Sequence, residues 1–373
     1  MQSEQKFISE SIRAFLGKHD EKKLFKLFKS VNTLQLNNAI LQQGLAGYFY
    51  YLYSNKVFDS CKLPSYMPDT WKKVSGKNLI SNALNVEETL NIIHELDKNK
   101  IDYFCIKGIP LRRRFYPADY INSSVDIDLF IKKTYYKKTK DILIANGYNI
   151  PINYYINKIA IKIPFNDFED QEYEICFIKE QEALQFVIDL QWDFLGRDRA
   201  LVYHSNYNIE PFYNFDNVKT IKIAEYGIRI FAPEPEFINM AFHYAFHHGF
   251  NGIKWLTDIC LFIKKYEMEI DFEYIFKTAD ENIKKILGIT LMLAYDFNYQ
   301  KKLSGKQKKM FCVDRLLPFE YKFYRSMVFK SGGIISDRTA LRFVKILLPY
   351  RIIDSFRVIK DSLKFVLKKQ FKK

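Results

Sequence analysis

Two aspartates separated by a single residue are the first residues of this chain whose type and spacing could do chemistry. They lie in the run Val125-Asp126-Ile127-Asp128-Leu129, in which carboxylates alternate with aliphatic side chains. That alternation predicts a strand with Asp126 and Asp128 on one face, about 7 Å apart along the chain. Neighbouring carboxylates repel each other unless a cation neutralises them, and hard divalent ions such as Mg²⁺ or Mn²⁺ bind carboxylate oxygens well.

A third carboxylate is available further along the chain. Asp189 lies within the apolar run 186–194, which we expect to be a strand of the same sheet. An aspartate with apolar neighbours on both sides needs a partner. Glu174 and Asp193 are the alternatives for the third position. Three carboxylates could hold two Mg²⁺ ions about 4 Å apart, the arrangement used for in-line phosphoryl or nucleotidyl transfer.

A lysine–glycine turn precedes the aspartate pair. Residues 101–106 predict a short strand and residues 109–116 a helix, with Lys107 and Gly108 between them. A glycine here lets backbone N–H groups approach a phosphate at the helix N-terminus, and Lys107 adds a positive charge. Three consecutive arginines beginning at Arg112 follow on the helix. The pattern favours solvent exposure for each of them, and we assign Arg112 as a candidate nucleotide ligand.

Two histidines and an aspartate form a further candidate group. His243 and His247 have the i, i+4 spacing of zinc ligands on a helix, but Tyr244 stands where a metalloprotease motif requires glutamate. Zinc hydrolysis is therefore disfavoured. We assign both histidines, Asp258 and Gln191 to a candidate substrate pocket. The histidines would have a structural or pocket-lining role, with direct contact with the substrate as the alternative. Asp258, four residues after Lys254, would orient a histidine or pair with a base.

The elements that must position these residues fall into three regions. Helical spacing in segments such as 9–28 and 82–98, the latter with Asn82 as a candidate cap, predicts a helical N-terminal region over 1–98. An α/β core is predicted over 99–231, and a helical C-terminal domain over 232–373. Within the core we expect a helix over 135–146 ended by Gly147. The strand-like runs of the core are 101–106, 125–131, 158–164, 173–178 and 186–194.

Composition limits the class of protein. The chain has 373 residues, of which 48% are apolar and 27% charged, so it has ample material for a packed core. Its five cysteines form no C-x-x-C pair, which speaks against a zinc site or a disulfide framework and favours a reducing compartment. The N-terminus has no signal-peptide core, and no run reaches the ~18 apolar residues of a membrane span. We therefore expect a cytoplasmic protein.

The net charge of +14 favours anionic partners. Residues 340–373 carry +8 of it, and apolar residues in 351–373 recur on one helical face with basic residues opposite. Such a helix packs on its own domain, contacts an acidic membrane from the cytoplasmic side, or binds nucleic acid. These three interpretations stay open.

The ordered set of motifs resembles the nucleotidyltransferases of the polymerase-beta-like superfamily, and within it a bacterial group of largely uncharacterised members. The pattern of that group is a KG-x-x-L turn, a helix ending in Tyr-Pro, a D-I-D-L strand, an acidic residue before Leu-His-Trp, and a helix with paired histidines and a later aspartate. The matching residues are Lys107, Gly108, Leu111, Tyr116, Pro117, Asp126 to Leu129, Asp189 to Trp192, His243, His247 and Asp258.

The resemblance implies a minimal mixed α/β (α+β) sheet flanked by helical regions, and Mg²⁺-dependent transfer of NMP from an NTP with release of pyrophosphate. Asp126 and Asp128 would hold the metals, and Asp189 would bind one metal and assist deprotonation of the acceptor. Lys107 and the Gly108 backbone would position the β- and γ-phosphates. The acceptor would be a sugar, a lipid-linked glycan, an RNA or a protein, with surface polysaccharide biosynthesis as one setting.

Two positions depart from the group's pattern. Asn122 stands where the group often has an arginine, and Gln191 replaces the histidine of Leu-His-Trp on the face expected to carry Asp189. These departures keep two alternatives open. One is a nucleotide-binding scaffold with weak or no turnover, and the other is an enzyme of the toxin–antitoxin type that modifies RNA or protein.

Overall fold

The N-terminal part of the chain is helical. The computed structural model describes residues 3–124, 126–151, 174–181, 184–194, 210–212, 215, 218–299, 303–314 and 316–328. Its first helices are α1 (Ser3–Phe15), α2 (Glu21–Phe28), α3 (Thr33–Gln42), α4 (Ala46–Ser54) and α5 (Tyr66–Lys98). The segment 9–28, predicted as helical throughout, is two helices. Gly17 has a φ of 93°, and the Asp20 side chain accepts a hydrogen bond from the Lys23 N–H to begin α2.

Helix α5 is longer than its apolar pattern predicted. It runs for 33 residues, so Asn82 lies in its interior and the prediction that this residue caps a helix is wrong. Asn82 is 2% exposed, and its side chain bonds to the main chain of the loop before the second strand. The Asn82 amide therefore bonds to a distant loop and does not cap the backbone of its own helix.

A mixed four-stranded sheet follows, which confirms the predicted fold class. Its strands are β1 (Tyr103–Ile106), β2 (Asp126–Ile131), β3 (Glu174–Gln181) and β4 (Leu184–Gln191), in the order β1-β2-β4-β3. β2 and β4 are parallel, and the other neighbouring pairs are antiparallel. Helix α6 (Gly108–Phe115) follows β1, and α7 (Tyr136–Ala145) follows β2. Gly147, with a φ of 87°, lies just beyond α7 as predicted.

The two faces of the sheet pack differently because side chains alternate along each strand. On one face, Leu129 and Leu190 belong to a hydrophobic cluster with residues of α5 and α7. On the other face, Phe104 and Phe130 belong to a larger cluster that also contains N-terminal and C-terminal helical residues. Asp128, two residues from Phe130, shares this second face.

A two-stranded hairpin, β5 (Val218–Ile223) and β6 (Tyr226–Phe231), was not predicted. Polar and apolar residues alternate in β5, which was the available signal. The hairpin turn contains Ala224 with a φ of 52°. Phe231 of β6 packs on Phe104 of β1, with ring centroids 4.3 Å apart. The hairpin therefore joins the sheet face that carries the aspartates.

The C-terminal part of the described chain is helical, and its helices pack on that same face. They are α8 (Pro233–Phe242), a π-helical turn (His243–His247), α9 (Ile253–Tyr266), α10 (Phe272–Thr278), α11 (Glu281–Ala294), a second π-helical turn (Tyr295–Tyr299), α12 (Gly305–Met310) and α13 (Pro318–Met327). Within the described ranges, no helix is both long and apolar enough to cross a membrane. The predicted strand 158–164 and basic helix 351–373 lie outside the described residues. The boundaries at 98/99 and 231/232 stay predictions.

Candidate functional site

Three carboxylates from two neighbouring strands converge on one face of the sheet. Asp128 of β2 lies directly opposite Asp189 of the parallel strand β4, and Asp126 is two residues earlier on the same face of β2. One oxygen from each side chain lies within 4.8 Å of the other two. Within the described part of the chain, this is the one group of histidine, cysteine or carboxylate side chains close enough to share a metal ion. The all-carboxylate donor set fits a hard divalent cation.

Burial makes the negative charge of this group costly. Burial, followed by the neighbouring carboxylates of Glu174, Asp128 and Asp126, raises the pKa of Asp189 to about 8. Burial also raises the pKa of Asp128 to about 6, although the Lys107 ammonium opposes this effect. A cation bound among the three side chains would offset both effects.

Lys107 contacts the aspartate group directly. Its Nζ lies 3.0 Å from Oδ1 of Asp128, in an ion pair that is largely buried. This lysine therefore contacts one of the three carboxylates, whereas the sequence predicted a contact with nucleotide phosphates. Lys107 has a φ of 57°, which for a residue other than glycine indicates a strained turn.

Gly108 is required where the turn meets the loop before β2. Its φ is 30°, and a Cβ at this position would lie 2.5 Å from Oγ of Ser124. That hydroxyl donates a 2.8 Å hydrogen bond to the backbone oxygen of Asp126. A side chain at position 108 would therefore displace a residue that is bonded to the first aspartate of the group.

Gln191 faces the site, as its alternation with Asp189 predicted. Its Nε2 donates to Oδ1 of Asp128 at 3.2 Å, and the residue is 3% exposed. Glu174 of β3 lies opposite Gln191 in the sheet and lines a cavity beside the three aspartates. Glu174 is thus a fourth carboxylate near the group, whereas Asp193 is not one of the three carboxylates that converge.

A cavity of about 440 Å³ lies between the aspartate group and the C-terminal helices. Lys107, Gly108 and Arg112 line it from the α/β core. The C-terminal helices contribute a wall of polar and aromatic side chains: His243, His247, Lys254, Trp255 and Asp258. The volume is within the range of small-molecule sites, about 300–1,000 Å³. Sequence reasoning missed Trp255, and it named Lys254 only as a neighbour of Asp258.

The three consecutive arginines have three different environments, so the prediction of solvent exposure is right for Arg113 alone. Arg113 forms a 3.0 Å ion pair with Asp119 at the surface. Arg114 forms a buried ion pair with Glu236 of α8. Arg112 is 3% exposed, and its Nη1 and Nη2 have no hydrogen-bond partner in the described part of the chain.

Asp258 belongs to a network of tyrosine hydroxyls, whereas the sequence predicted that it would orient a histidine or pair with a base. Tyr116 donates to Oδ1 of Asp258, and the hydroxyls of Tyr116 and Tyr48 are 2.6 Å apart. Nδ2 of Asn122 lies 3.4 Å from the Tyr116 hydroxyl, and Oδ1 of Asn122 is buried with no partner among the described residues. Burial raises the pKa of Asp258 to about 6.

The histidines line the wall of the cavity formed by the C-terminal helices. His243 and His247 lie in the π-helical turn, and their ring centroids are 4.7 Å apart. Nε2 of His243 lies 3.0 Å from Nε2 of His248, whose ring stacks on Trp255. The structure therefore places both predicted histidines in the same cavity as the aspartates.

Sequence reasoning missed a row of asparagines on α5 that holds the loop between α6 and β2. Asn82 Nδ2 donates to the backbone oxygens of Asp119 and Asn122, and Asn85 Nδ2 donates to that of Ser124 at 2.7 Å. Three asparagines at 78, 82 and 85 on one helix were the signal, since spacings of four and three residues bring side chains to one face. This loop contributes the 122–124 wall of the cavity.

Comparison with known proteins gives one family. A family model described as "Uncharacterised nucleotidyltransferase" matches residues 30–297. No curated protein and no solved structure matches the chain. The family match covers most of the sequence and includes the aspartate group, the lysine–glycine turn and the histidine wall. The chain therefore belongs to this family of nucleotidyltransferases, as its motifs predicted.

Proposed function

We propose that this nucleotidyltransferase transfers NMP from an NTP to a hydroxyl or phosphate of an acceptor, in a reaction that depends on Mg²⁺ or Mn²⁺. The observation that carries the proposal is the convergence of Asp126, Asp128 and Asp189 within 4.8 Å on two parallel strands. Divalent cations held there would neutralise the phosphates and polarise the attacking oxygen.

The three aspartates would have separate roles. Asp126 and Asp128 would hold the metals, and Asp189 would bind one metal and receive the proton of the acceptor. The acceptor oxygen forms a bond to the α-phosphorus, the bond from that phosphorus to the bridging oxygen breaks, and pyrophosphate leaves with the electron pair. Gln191 acts through Asp128, because its amide fixes the position of Oδ1.

The nucleotide would bind along α6. Lys107, the Gly108 amide and Arg112 line one side of the cavity, and the N-terminus of α6 favours an anion. His243 and His247 line the opposite wall and would contact the acceptor. Asp258 supports that wall through Tyr116. A sugar, a lipid-linked glycan, an RNA and a protein are the acceptor classes that the experiment must separate.

The test uses a cell extract, Mg²⁺ and each of the four labelled NTPs. Mass spectrometry searches for an acceptor that gains one NMP, and pyrophosphate release is measured in parallel. We expect Asp128→Asn to reduce release to background, because it removes one of the converging charges. Asp141→Asn, which makes the same change at an exposed position of α7, should release pyrophosphate like the wild type.

Undiminished pyrophosphate release by a folded Asp128→Asn protein would contradict the proposal. Mg²⁺-dependent NTP binding with no product in any extract would favour the scaffold without turnover.

A further inference from the structure

Two basic side chains from different parts of the chain line the same cavity. Arg112 of α6 is 3% exposed, and neither Nη1 nor Nη2 has a hydrogen-bond partner in the described structure. Lys254 of α9 is half-buried, and its Nζ lies 3.3 Å from the backbone oxygen of Ser123. Each residue contributes a positive charge to the cavity, and neither forms an ion pair with a described carboxylate.

Two of the neighbouring carboxylates are bonded elsewhere, and a third, Asp126, belongs to the aspartate group. Asp119 pairs with Arg113, and Asp258 accepts a hydrogen bond from Tyr116. Burial lowers the pKa of Arg112 to about 10. Burial lowers the pKa of Lys254 as well; Asp258 and Asp126 oppose this effect, and the charge of Arg112 adds to it. A partly buried pair of like charges costs folding free energy unless an anion lies between them.

We propose that Arg112 and Lys254 form a phosphate subsite that holds one phosphate group between α6 and α9. A guanidinium offers two parallel N–H donors to two phosphate oxygens, and an ammonium adds a point charge. Arg112 has both terminal nitrogens available for this geometry. The identification of this phosphate as part of a substrate rests on the proposed function.

Asn122 adds a requirement for the ligand. Asn122 lines the same cavity, and its buried Oδ1 has no described partner, so it would accept a hydrogen bond from an O–H or N–H of the bound molecule. The ligand therefore carries a phosphate and a hydrogen-bond donor such as a hydroxyl. The NTP supplies both in its phosphates and ribose, and a phosphorylated acceptor supplies both as well. The two sources share this chemistry, and the experiment separates them.

The first arm of the experiment tests whether the phosphate in the subsite belongs to the nucleotide. Calorimetry in EDTA titrates inorganic tripolyphosphate into the wild type, Arg112→Gln, Lys254→Gln and the double variant. If the subsite holds an NTP phosphate, each single variant raises the Kd about tenfold or more. The double variant raises it little further, because one phosphate uses both side chains. Arg113→Gln removes the same charge at the next residue and should stay within about twofold of the wild type.

The second arm tests whether the phosphate in the subsite belongs to the acceptor. Inorganic phosphate is titrated into protein saturated with Mg²⁺ and a non-hydrolysable NTP analogue. If the subsite holds a phosphate of the acceptor, the wild type binds phosphate here and both single variants lose it, while their tripolyphosphate affinity is unchanged. The proposal is overturned if the wild type binds neither anion, or if neither variant differs from Arg113→Gln in either arm.

Thermal unfolding separates ligand binding from a structural role. Removing an unpaired buried cation should leave the Tm of ligand-free Arg112→Gln unchanged or higher. A lower Tm would indicate that Arg112 has a structural role. Arg112→Lys, which keeps the charge, then serves as the second variant and should keep part of the affinity for the anion. Asp128→Asn should still bind tripolyphosphate in EDTA. The subsite is therefore tested by anion binding, which the Arg112 and Lys254 variants should lose and Asp128→Asn should keep. The proposed function is tested separately, by turnover in Asp128→Asn.

Discussion

Asp128 is the residue on which the site is centred. Its Oδ1 receives hydrogen bonds from both Lys107 and Gln191, and its strand neighbour is Asp189. The glutamine that departs from the family's motif donates an N–H to this oxygen, which a neutral histidine could also do. Gln191 therefore keeps a donor at this position, and the departure does not remove the contact that fixes Asp128.

The raised pKa values predict a pH-dependent response to Mg²⁺. The pKa is about 6 for Asp128 and about 8 for Asp189, against 3.8 for an ordinary aspartate. The folded protein binds these protons more tightly than the unfolded chain, so the free energy of unfolding decreases as pH rises from about 4 to about 8. Metal binding needs deprotonated ligands. We therefore expect the increase in Tm caused by Mg²⁺ to grow between pH values of about 6 and about 8.

Thermal scans with and without Mg²⁺ across this range make the measurement, with Asp189→Asn as the comparison. The variant should lose most of the pH dependence, because the group with the highest of these pKa values is gone. An equal effect of Mg²⁺ at both ends of the range in the wild type would contradict the assignment.

At the scale of elements, α5 acts as a support for the loop that forms one wall of the cavity. Asn82 donates to two backbone oxygens of the 119–124 loop, and the Ser124 N–H donates to its Oδ1. Asn78 donates to the oxygen of Tyr120, and Asn85 to that of Ser124. The loop therefore has its backbone groups bonded to side chains of one helix, which fixes the position of Asn122 in the cavity.

Replacing Asn82 should loosen this loop. Asn82→Ala removes three hydrogen bonds and leaves buried backbone groups unpaired, at a cost of about 2–3 kcal/mol in the free energy of unfolding. NTP affinity should fall as well, because Asn122 and Ser124 line the cavity. Denaturant unfolding and calorimetry measure the two effects. Asn91→Ala, an exposed position of the same helix, should change neither. Wild-type stability in Asn82→Ala would show that these bonds do not hold the loop.

Elements formed by neighbouring residues could be predicted from the sequence, whereas those that depend on distant partners could not. The strand, turn and helix around Lys107 and the two-residue repeat of Asp126 and Asp128 are local patterns. In the sequence, Asn82 resembles a helix cap. Only the fold shows that a loop some 40 residues later accepts its hydrogen bonds. The contact of α9 with α6, which brings C-terminal residues to the cavity lined by Arg112, likewise joins segments that are distant in sequence.

At the scale of the whole molecule, the cavity lies where the sheet meets two helical regions. One hydrophobic cluster joins Phe7 of α1, Phe130 of β2 and Phe262 of α9. The buried ion pair between Arg114 and Glu236 ties α6 to α8. Alternating patterns predicted the α/β class of the core. The histidines and Asp258 were assigned to a substrate pocket, but no local pattern specified how the C-terminal helices would pack on the sheet. That arrangement brings Lys254 and the histidines to the cavity.

The central claim is that the three aspartates bind divalent cations for nucleotidyl transfer, and counting bound Mn²⁺ tests it most directly. Electron paramagnetic resonance titrations with a non-hydrolysable NTP analogue should find about two ions per chain in the wild type and in Asp141→Asn. Asp128→Asn, with its folded state checked by circular dichroism, should lose this binding. A wild-type protein that binds no Mn²⁺, or an Asp128→Asn protein that binds it equally well, would contradict the account.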